Sequence, residues 1–484
     1  MVFSSPGFLF LFFPCFFALY FLLPRMLRNG FILLASVAFY LLGAGALAVV
    51  AVALLLLNWL LAVLIGYWRA RQGADGRPAL ALLLLGVAMN LAPLVFYKYL
   101  GFLAQIVRDL SGGAWLAGSG EWKIILPLGI SFYVFHFLSS LADVYAGRIR
   151  PETRLHKLAI YIFLFPHLIA GPVVRYEEVR AQLDVKYRRL VGSDVFWGLV
   201  LFAIGLSKKM LIADPLGAVA DAVHGAAGGA GGSAAIAGVV STYAAWLGAL
   251  CYSFQIYFDF SGYTDMAIGM ARMMGFRFPR NFNRPYAAHS MTAFWQRWHM
   301  TLSRFFRDYV YIPLGGNRAG NFNAYRNSFI VFILCALWHG AAYTFLLWGI
   351  GHGVLLALER AGLLNTARWR LGSLPVFVLA TLLWVPFRAV DLHHSAVLLG
   401  AMSGLDPAVP LWQDGNRVLA DFKVIFLLAL AAGICLCGER PFARLRRFSL
   451  RQPLLIGLYS LVLYGAACLS VVEGGFNPFI YFQF

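Results

Sequence analysis

Polar side chains are scarce in this chain, and those able to do chemistry gather between Gln255 and His352. The run QIYFDFSGYTDMAIG places Gln255, Asp259, Ser261, Tyr263 and Asp265 within eleven residues beside an apolar helix. Two carboxylates so close together in an apolar setting need partners, and arginines follow just downstream. The group reads either as an Arg–Asp network bracing one side of the protein or as part of a substrate site. Further on, ILCALWHGAAYTFLLWGIGHG sets Trp338 and His339 in an uncharged run, with Gly340, Ala341 and Ala342 leaving space beside the imidazole. A desolvated imidazole stays neutral and can take a proton from a hydroxyl. His339 is thus a candidate general base, with a packed polar group as the plainer alternative. His352, later in the same segment, reads as structural.

Two elements must position these groups. FRFPRNFNRPY carries Asn283, and its Pro279 and Pro285 forbid a continuous helix. SMTAFWQRWHMTLSRFFRDYVYIPLGGNR then predicts an amphipathic helix over about 290–311, with Phe294, Trp298, Leu302, Phe305 and Tyr309 on one face. Arg297, Arg304 and Arg307 occupy the other side, and His299 lies in the middle. The pattern fits a helix lying on anionic headgroups. It equally fits a helix that lines a pore and meets a phosphorylated ligand with its arginines. There is no P-loop, no GxGxxG after a strand, no HExxH and no HxxxxD box. His393 and His394 lack a carboxylate or cysteine cluster, and the six cysteines form no CxxC pair, so no metal site is expected.

Composition fixes the class. Of 484 residues 61% are apolar and only 12% charged, about half the charged share of a soluble domain. No charge occurs from Phe8 to Leu23 or from Phe31 to Trp68. These runs approach or exceed the ~20 residues a helix needs to cross a bilayer. A soluble enzyme, a disordered chain and a nucleic-acid-binding module are excluded. The expectation is an all-α polytopic membrane protein, a single membrane-embedded domain over 1–484 with its catalytic core at about 120–360. Apolar segments predict 11–12 spans near 8–24, 30–44, 46–68, 79–100, 123–143, 194–212, 236–258, 327–343, 344–359, 372–390, 420–437 and 453–472. The first reads as a retained span, since no basic region precedes it.

The net charge of +18 comes from 39 Lys and Arg against 21 Asp and Glu, and 31 of the 39 fall in eight clusters between spans. The connections Asp214–Gly232 and Asp391–Gly415 hold almost none. Placing the clusters in the cytoplasm gives both termini outside. Residues 225–235 (GAAGGAGGSAA) read as a flexible external loop. Residues 158–173, interrupted by Pro166 and Gly171-Pro172, lie between two basic clusters, which predicts a re-entrant hairpin. Lys208 and Lys209 resist the scheme, falling near an outer end: either they snorkel or face an interior cavity, or that span is misplaced.

The same runs, together with ILPLGISFY before Asp143, LFPHLIAGPVVRY, the opening MVFSSPGFLF and the closing NPFIYFQF, resemble the alginate O-acetyltransferase branch of the membrane-bound O-acyltransferase family. The likeness covers most of the chain and is densest over about 120–360. It implies acyl transfer across a bacterial inner membrane, with acetyl-CoA as cytosolic donor and no cofactor. It also implies separate periplasmic O-acetylation partners and an exported polysaccharide acceptor. The family's two hallmark histidines fall on His339 and His299. The resemblance implies His339 as base and His299 as the group that orients substrate or stabilises an oxyanion. Arg297, Arg304 and Arg307 would then steer the donor's phosphates. His136 and His167 stand where the family commonly shows glutamine. Close relatives acetylate cellulose or peptidoglycan as well as alginate, and a distant branch passes D-alanine to teichoic acids. Outside the family, a transporter for an anionic solute or a scaffold for an export complex would show similar polar residues at membrane depth.

Overall fold

The structure, a computed structural model, describes residues 3–73, 76–112, 124–225, 241–318, 320–369, 371–405, 411, 421–436, 452–474 and 477–480. Among these residues the chain forms α-helices and no strand. In a bilayer a helix satisfies its own backbone groups, so uncharged runs of this length fold as helices. The chain is an all-α polytopic membrane protein. Most of loop 225–235 and the whole cluster Arg440–Arg451 lie outside the described residues. Contacts divide the chain into two units, residues 1–199 with 267–279 and residues 200–266 with 280–484.

The first unit contains α1 (Phe13–Leu22), α2 (Arg28–Ala44), α3 (Ala48–Gln72), α4 (Arg77–Leu94), α5 (Leu100–Leu110) and α6 (Ile130–Ala146). Helices α3, α4 and α6 pack on one another. Asn58 on α3 and Asn90 on α4 exchange side-chain hydrogen bonds of 3.0 and 2.7 Å, both fully buried. Each amide also donates to a carbonyl one turn back in its own helix, so this polar clamp leaves no donor unused.

The segment expected to form a hairpin at 158–173 folds as two short helices, α7 (Leu155–Phe163) and α8 (Phe165–Leu168). Neither is long enough to cross a bilayer. Leu164 breaks the helix with ψ 106°, and Gly171 turns the chain at φ 115°, a conformation that favours glycine. Residues 157–174 are buried throughout, and Tyr161 Oη donates to the Val174 carbonyl (2.8 Å). Short α9 (Tyr176–Val179) follows.

Several spans differ from expectation, among them 123–143, where the helix is Ile130–Ala146, and 327–343, where it is Asn321–His339. The helical run expected over 79–100 continues to Leu110. The run expected over 194–212 is α10 (Gly192–Ser207), which continues through 208–213 into α11 (Asp214–His224). Pro215 stands where the π-helical turn 208–213 passes into α11. The segment expected over 236–258 is α12 (Thr242–Met273), so the polar run of Asp259 to Asp265 lies on the helix and not beside it.

The second unit carries α13 (Met291–Trp295), α14 (Met300–Phe306), α15 (Asn321–His339), α16 (Tyr343–Arg360), α17 (Leu374–Arg388), α18 (Leu392–Ser403), α19 (Phe422–Leu436) and α20 (Pro453–Gly474). Helices α15, α16 and α17 pack in sequence. Gly205 and Gly262 let α10 and α12 approach backbone to backbone. A Cβ on Gly205 would lie 2.5 Å from the Gly262 carbonyl oxygen, and one on Gly262 would lie 2.6 Å from that of Gly205. Backbone on both sides leaves no flexible atom to move. Gly262→Val should therefore lower stability by about 1–3 kcal/mol or more, measured as a drop in the thermal midpoint of the detergent-solubilised protein; an unchanged midpoint would refute the close contact.

Candidate active site

Within the second unit, α12 carries its polar residues into a buried ion cluster. Lys209 Nζ lies 2.7 Å from Asp259 Oδ1 and 2.6 Å from Asp214 Oδ1, and it donates to the Pro478 carbonyl (3.3 Å). The second Asp259 oxygen accepts the Ile480 N–H at 2.8 Å. Lys209 and Asp259 are essentially inaccessible, so Lys209 faces the interior and does not snorkel. Lys208 pairs with Asp265 (2.5 Å). The carboxylates thus find lysines, where the sequence pointed to arginines downstream. Tyr263 packs edge-on against Phe479, while Ser261 Oγ and Gln255 Oε1 have no hydrogen-bond partner.

The segment after α12 lies as a strap along the residues around His299. Met300 N donates to the Asn281 carbonyl (2.8 Å) and Asn283 N donates to the Arg297 carbonyl (2.9 Å). Asn281 Oδ1 accepts from His299 Nδ1 (3.0 Å) and from the Thr301 hydroxyl (2.8 Å). His299 adopts φ 41°, ψ 53°, a left-handed conformation costing about 1 kcal/mol in a non-glycine residue. The helix expected over 290–311 is therefore broken: α13 ends at Trp295 and α14 begins at Met300. Since Asn281 Oδ1 can only accept, Nδ1 of His299 carries the proton and Nε2 holds the lone pair.

His299 is fully buried, its ring 4.7 Å from Phe260 and 5.8 Å from Trp338. The His339 ring stands 4.8 Å from the same indole, and also contacts Trp348 (5.2 Å) and Phe387 (5.1 Å). One tryptophan thus touches both imidazoles, although forty residues separate them. The space expected beside His339 is filled. A Cβ on Gly340 would overlap the Phe345 ring at 2.0 Å, so the glycine admits that ring. His352 is enclosed by Phe294, Phe332, Trp348 and Trp384, and its Nδ1 accepts from Trp295 Nε1 (3.3 Å).

A cavity of about 500 Å³ lies along α13, α14 and α15, lined among others by Trp295, Gln296, Ser303, Arg304, Arg307 and Cys335. Cys335 is one helical turn before His339 on α15. Arg304 and Arg307 line the cavity, and Arg307 is bound by Asp308 through 2.6 and 3.2 Å contacts. Arg297, half-buried, does not line it, and Asn283 is exposed. Asn281 was missed by sequence reading; its only signal was an asparagine-rich run between two prolines. In the first unit, His136 and His167 have rings 4.8 Å apart, and none of their four nitrogens meets a hydrogen-bond partner at normal geometry.

A family model described as "MBOAT, membrane-bound O-acyltransferase family" matches residues 152–378. A probable alginate O-acetylase of Pseudomonas putida is 38% identical over 507 residues, covering 100% of both chains. The chain belongs to the membrane-bound O-acyltransferase family. A probable alginate O-acetylase of Pseudomonas aeruginosa is 41% identical over 405 residues, covering 83% of this chain and 75% of that one. A peptidoglycan O-acetyltransferase of Helicobacter pylori is 34% identical over 442 residues, covering 84% and 80%. As a member of this family in its alginate O-acetylase branch, the protein is a multi-pass membrane O-acetyltransferase, working on an acyl donor in a lipid setting.

Removing one partner from a buried ion cluster leaves an uncompensated charge, at a cost of about 3–5 kcal/mol. Lys209→Met should therefore sharply reduce folded protein in detergent, and the double substitution Lys209→Met/Asp259→Asn should recover part of it. Equal yields of wild type and Lys209→Met in gel filtration would refute the cluster.

Proposed function

We propose that this O-acetyltransferase draws acetyl groups from acetyl-CoA at the cytosolic face of a bacterial inner membrane. It passes them outward, with periplasmic partner proteins, for O-acetylation of an exported polysaccharide, alginate in the first instance. The observation that carries this reading is Trp338, whose indole touches both His299 and His339 one turn from the wall of the arginine-lined cavity. The resemblance of the full chain to alginate O-acetylases supports the acceptor class.

His339 takes the proton from an acceptor hydroxyl as its oxygen attacks the thioester carbonyl. The tetrahedral intermediate collapses, the carbon–sulfur bond breaks, and the leaving thiolate takes up a proton to give free thiol and an ester. His299, with its proton held by Asn281, offers a lone pair at Nε2 and so suits orienting a hydroxyl. Stabilising an oxyanion would require its protonated form. Arg304 in the cavity meets the donor's phosphates, whereas Arg307 serves that role only as far as Asp308 releases it. Arg297 acts from outside the cavity. Gln255, Asp259, Ser261, Tyr263 and Asp265 build the wall behind these groups rather than touch the donor.

General-base catalysis contributes roughly 10²–10⁴ in rate. His339→Ala should cut acetyl transfer from labelled acetyl-CoA by about that factor while membrane insertion and thermal midpoint hold. Wild-type transfer by that variant would reject the role. Arg304→Ala should raise KM for acetyl-CoA roughly tenfold, as for loss of a charged hydrogen bond, but leave KM for the phosphate-free analogue acetyl-pantetheine unchanged. An equal rise for both donors would contradict the phosphate assignment.

A further inference from the structure

In the first unit the turn between α1 and α2 meets the segment after α9, and the meeting gathers arginines. Leu23 and Pro24 run extended, and residues 25–27 make one tight turn before α2 begins at Arg28. Arg25 Nη2 donates to the Arg188 carbonyl (3.4 Å), and Arg28 Nε donates to the Leu23 carbonyl (3.2 Å). Arg188 Nη2 donates to Asn29 Oδ1 (2.8 Å), and Asn29 Nδ2 to the Leu183 carbonyl (2.8 Å). The Arg28 guanidinium stands 5.2 Å from the Tyr20 ring centre, and that of Arg188 4.5 Å from the Phe276 ring centre. Arg188 is only 5% exposed, and room is made for it. A Cβ on Gly275 would lie 2.8 Å from Arg188 Cγ, and Gly275 holds a φ of 84° that favours glycine. Among the described residues none of the three arginines has an ion-pair partner. Asp184, in the same segment, is taken by Lys157 at 2.7 Å. Tyr20 brings no charge, since its hydroxyl donates to the Met274 carbonyl (2.8 Å).

Like charges gathered without a counter-charge repel, and an anion relieves them. Arg25 is exposed and Arg28 half-buried, so both reach a ligand directly. Arg188 adds charge from beneath and makes no contact. Guanidinium donors suit a phosphate. The same turn decides which phosphate. Leu22 is 81% exposed and Met26 90%, on either side of Arg25. A soluble phosphate compound has no use for these side chains, whereas a lipid lays its acyl chains on them and leaves its phosphate with the arginines. The turn joins the ends of two apolar helices, the level at which headgroups meet basic side chains. A zwitterionic headgroup would set its own cation against the arginines, so a net negative one fits.

We propose that the α1–α2 turn is a binding site for an anionic phospholipid. Arg25 and Arg28 hold the headgroup phosphate, Arg188 supplies charge behind them, and Leu22 and Met26 carry the acyl chains. The proposal stands apart from the acetyl-transfer reading.

The test adds phosphatidylglycerol, or phosphatidylcholine with the same acyl chains, to the full chain in detergent and reads bound lipid by native mass spectrometry. Wild type should hold phosphatidylglycerol roughly tenfold more tightly than phosphatidylcholine. Arg25→Gln and Arg28→Gln should each weaken phosphatidylglycerol roughly fivefold, the effect of one arginine near a lipid surface, and leave phosphatidylcholine unchanged. Arg71→Gln makes the same charge change at an exposed arginine in the last turn of α3 and should leave both lipids unchanged. Because Arg25 is exposed, Arg25→Gln should keep the wild-type thermal midpoint, and it decides the outcome even where Arg28→Gln folds poorly. No preference in wild type, unweakened binding by Arg25→Gln, or an equal loss in Arg71→Gln would each overturn the site; the last would show diffuse attraction only. Displacement of the lipid by inorganic phosphate or by acetyl-CoA would overturn the lipid assignment in favour of a soluble phosphate. None of these readings uses acetyl transfer, so this proposal and the function above can fail separately.

Discussion

Inside an apolar slab a polar atom finds its hydrogen bond within the protein or goes without, and each omission costs several kcal/mol. That constraint organises this chain. Asn58 and Asn90 satisfy each other between two spans. Lys209 is surrounded by Asp214, Asp259 and a C-terminal carbonyl, joining points of the sequence up to 269 residues apart. A charge that looked misplaced as a surface group is a tie between helices. The same cluster docks Ile480, so the described end of the chain is held by the polar run on α12.

The same constraint shapes the region around His299. His299 is buried, so its ring proton needs a partner within the protein. Asn281 supplies that partner, and the backbone at His299 accepts a left-handed conformation to reach it. Around this point the walls are aromatic: Phe260, Trp338, Trp348 and Phe387 exclude water from the two imidazoles. Arg304 and Arg307 stay at the cavity, where Asp308 binds Arg307.

Much of this was legible in the sequence because hydrophobic length and charge placement report directly on helices. The all-α, many-helix membrane class could be read from residue types and spacing, and the break near 164–171 from its prolines and glycine. The break at His299 could not, since the periodicity of Phe294, Trp298, Leu302 and Phe305 continues straight through it. At the break His299 donates a tertiary hydrogen bond to Asn281, to which helical periodicity is blind. The space beside His339 misled for a similar reason. Small residues at 340–342 leave room, but whether the room stays empty depends on Phe345, which fills it. Lys209 likewise needed its three-dimensional partners before its position made sense.

On the proposed mechanism Asn281 acts through His299, fixing the proton on Nδ1 so that Nε2 can orient a hydroxyl. The direct measurement is a double-mutant cycle on kcat for acetyl transfer with Asn281→Ala, His299→Ala and the pair together. Coupled residues give non-additive losses, so the double variant should be no slower than His299→Ala alone. Losses that multiply, with the folded state of each variant intact, would show that Asn281 and His299 act independently and would contradict the account.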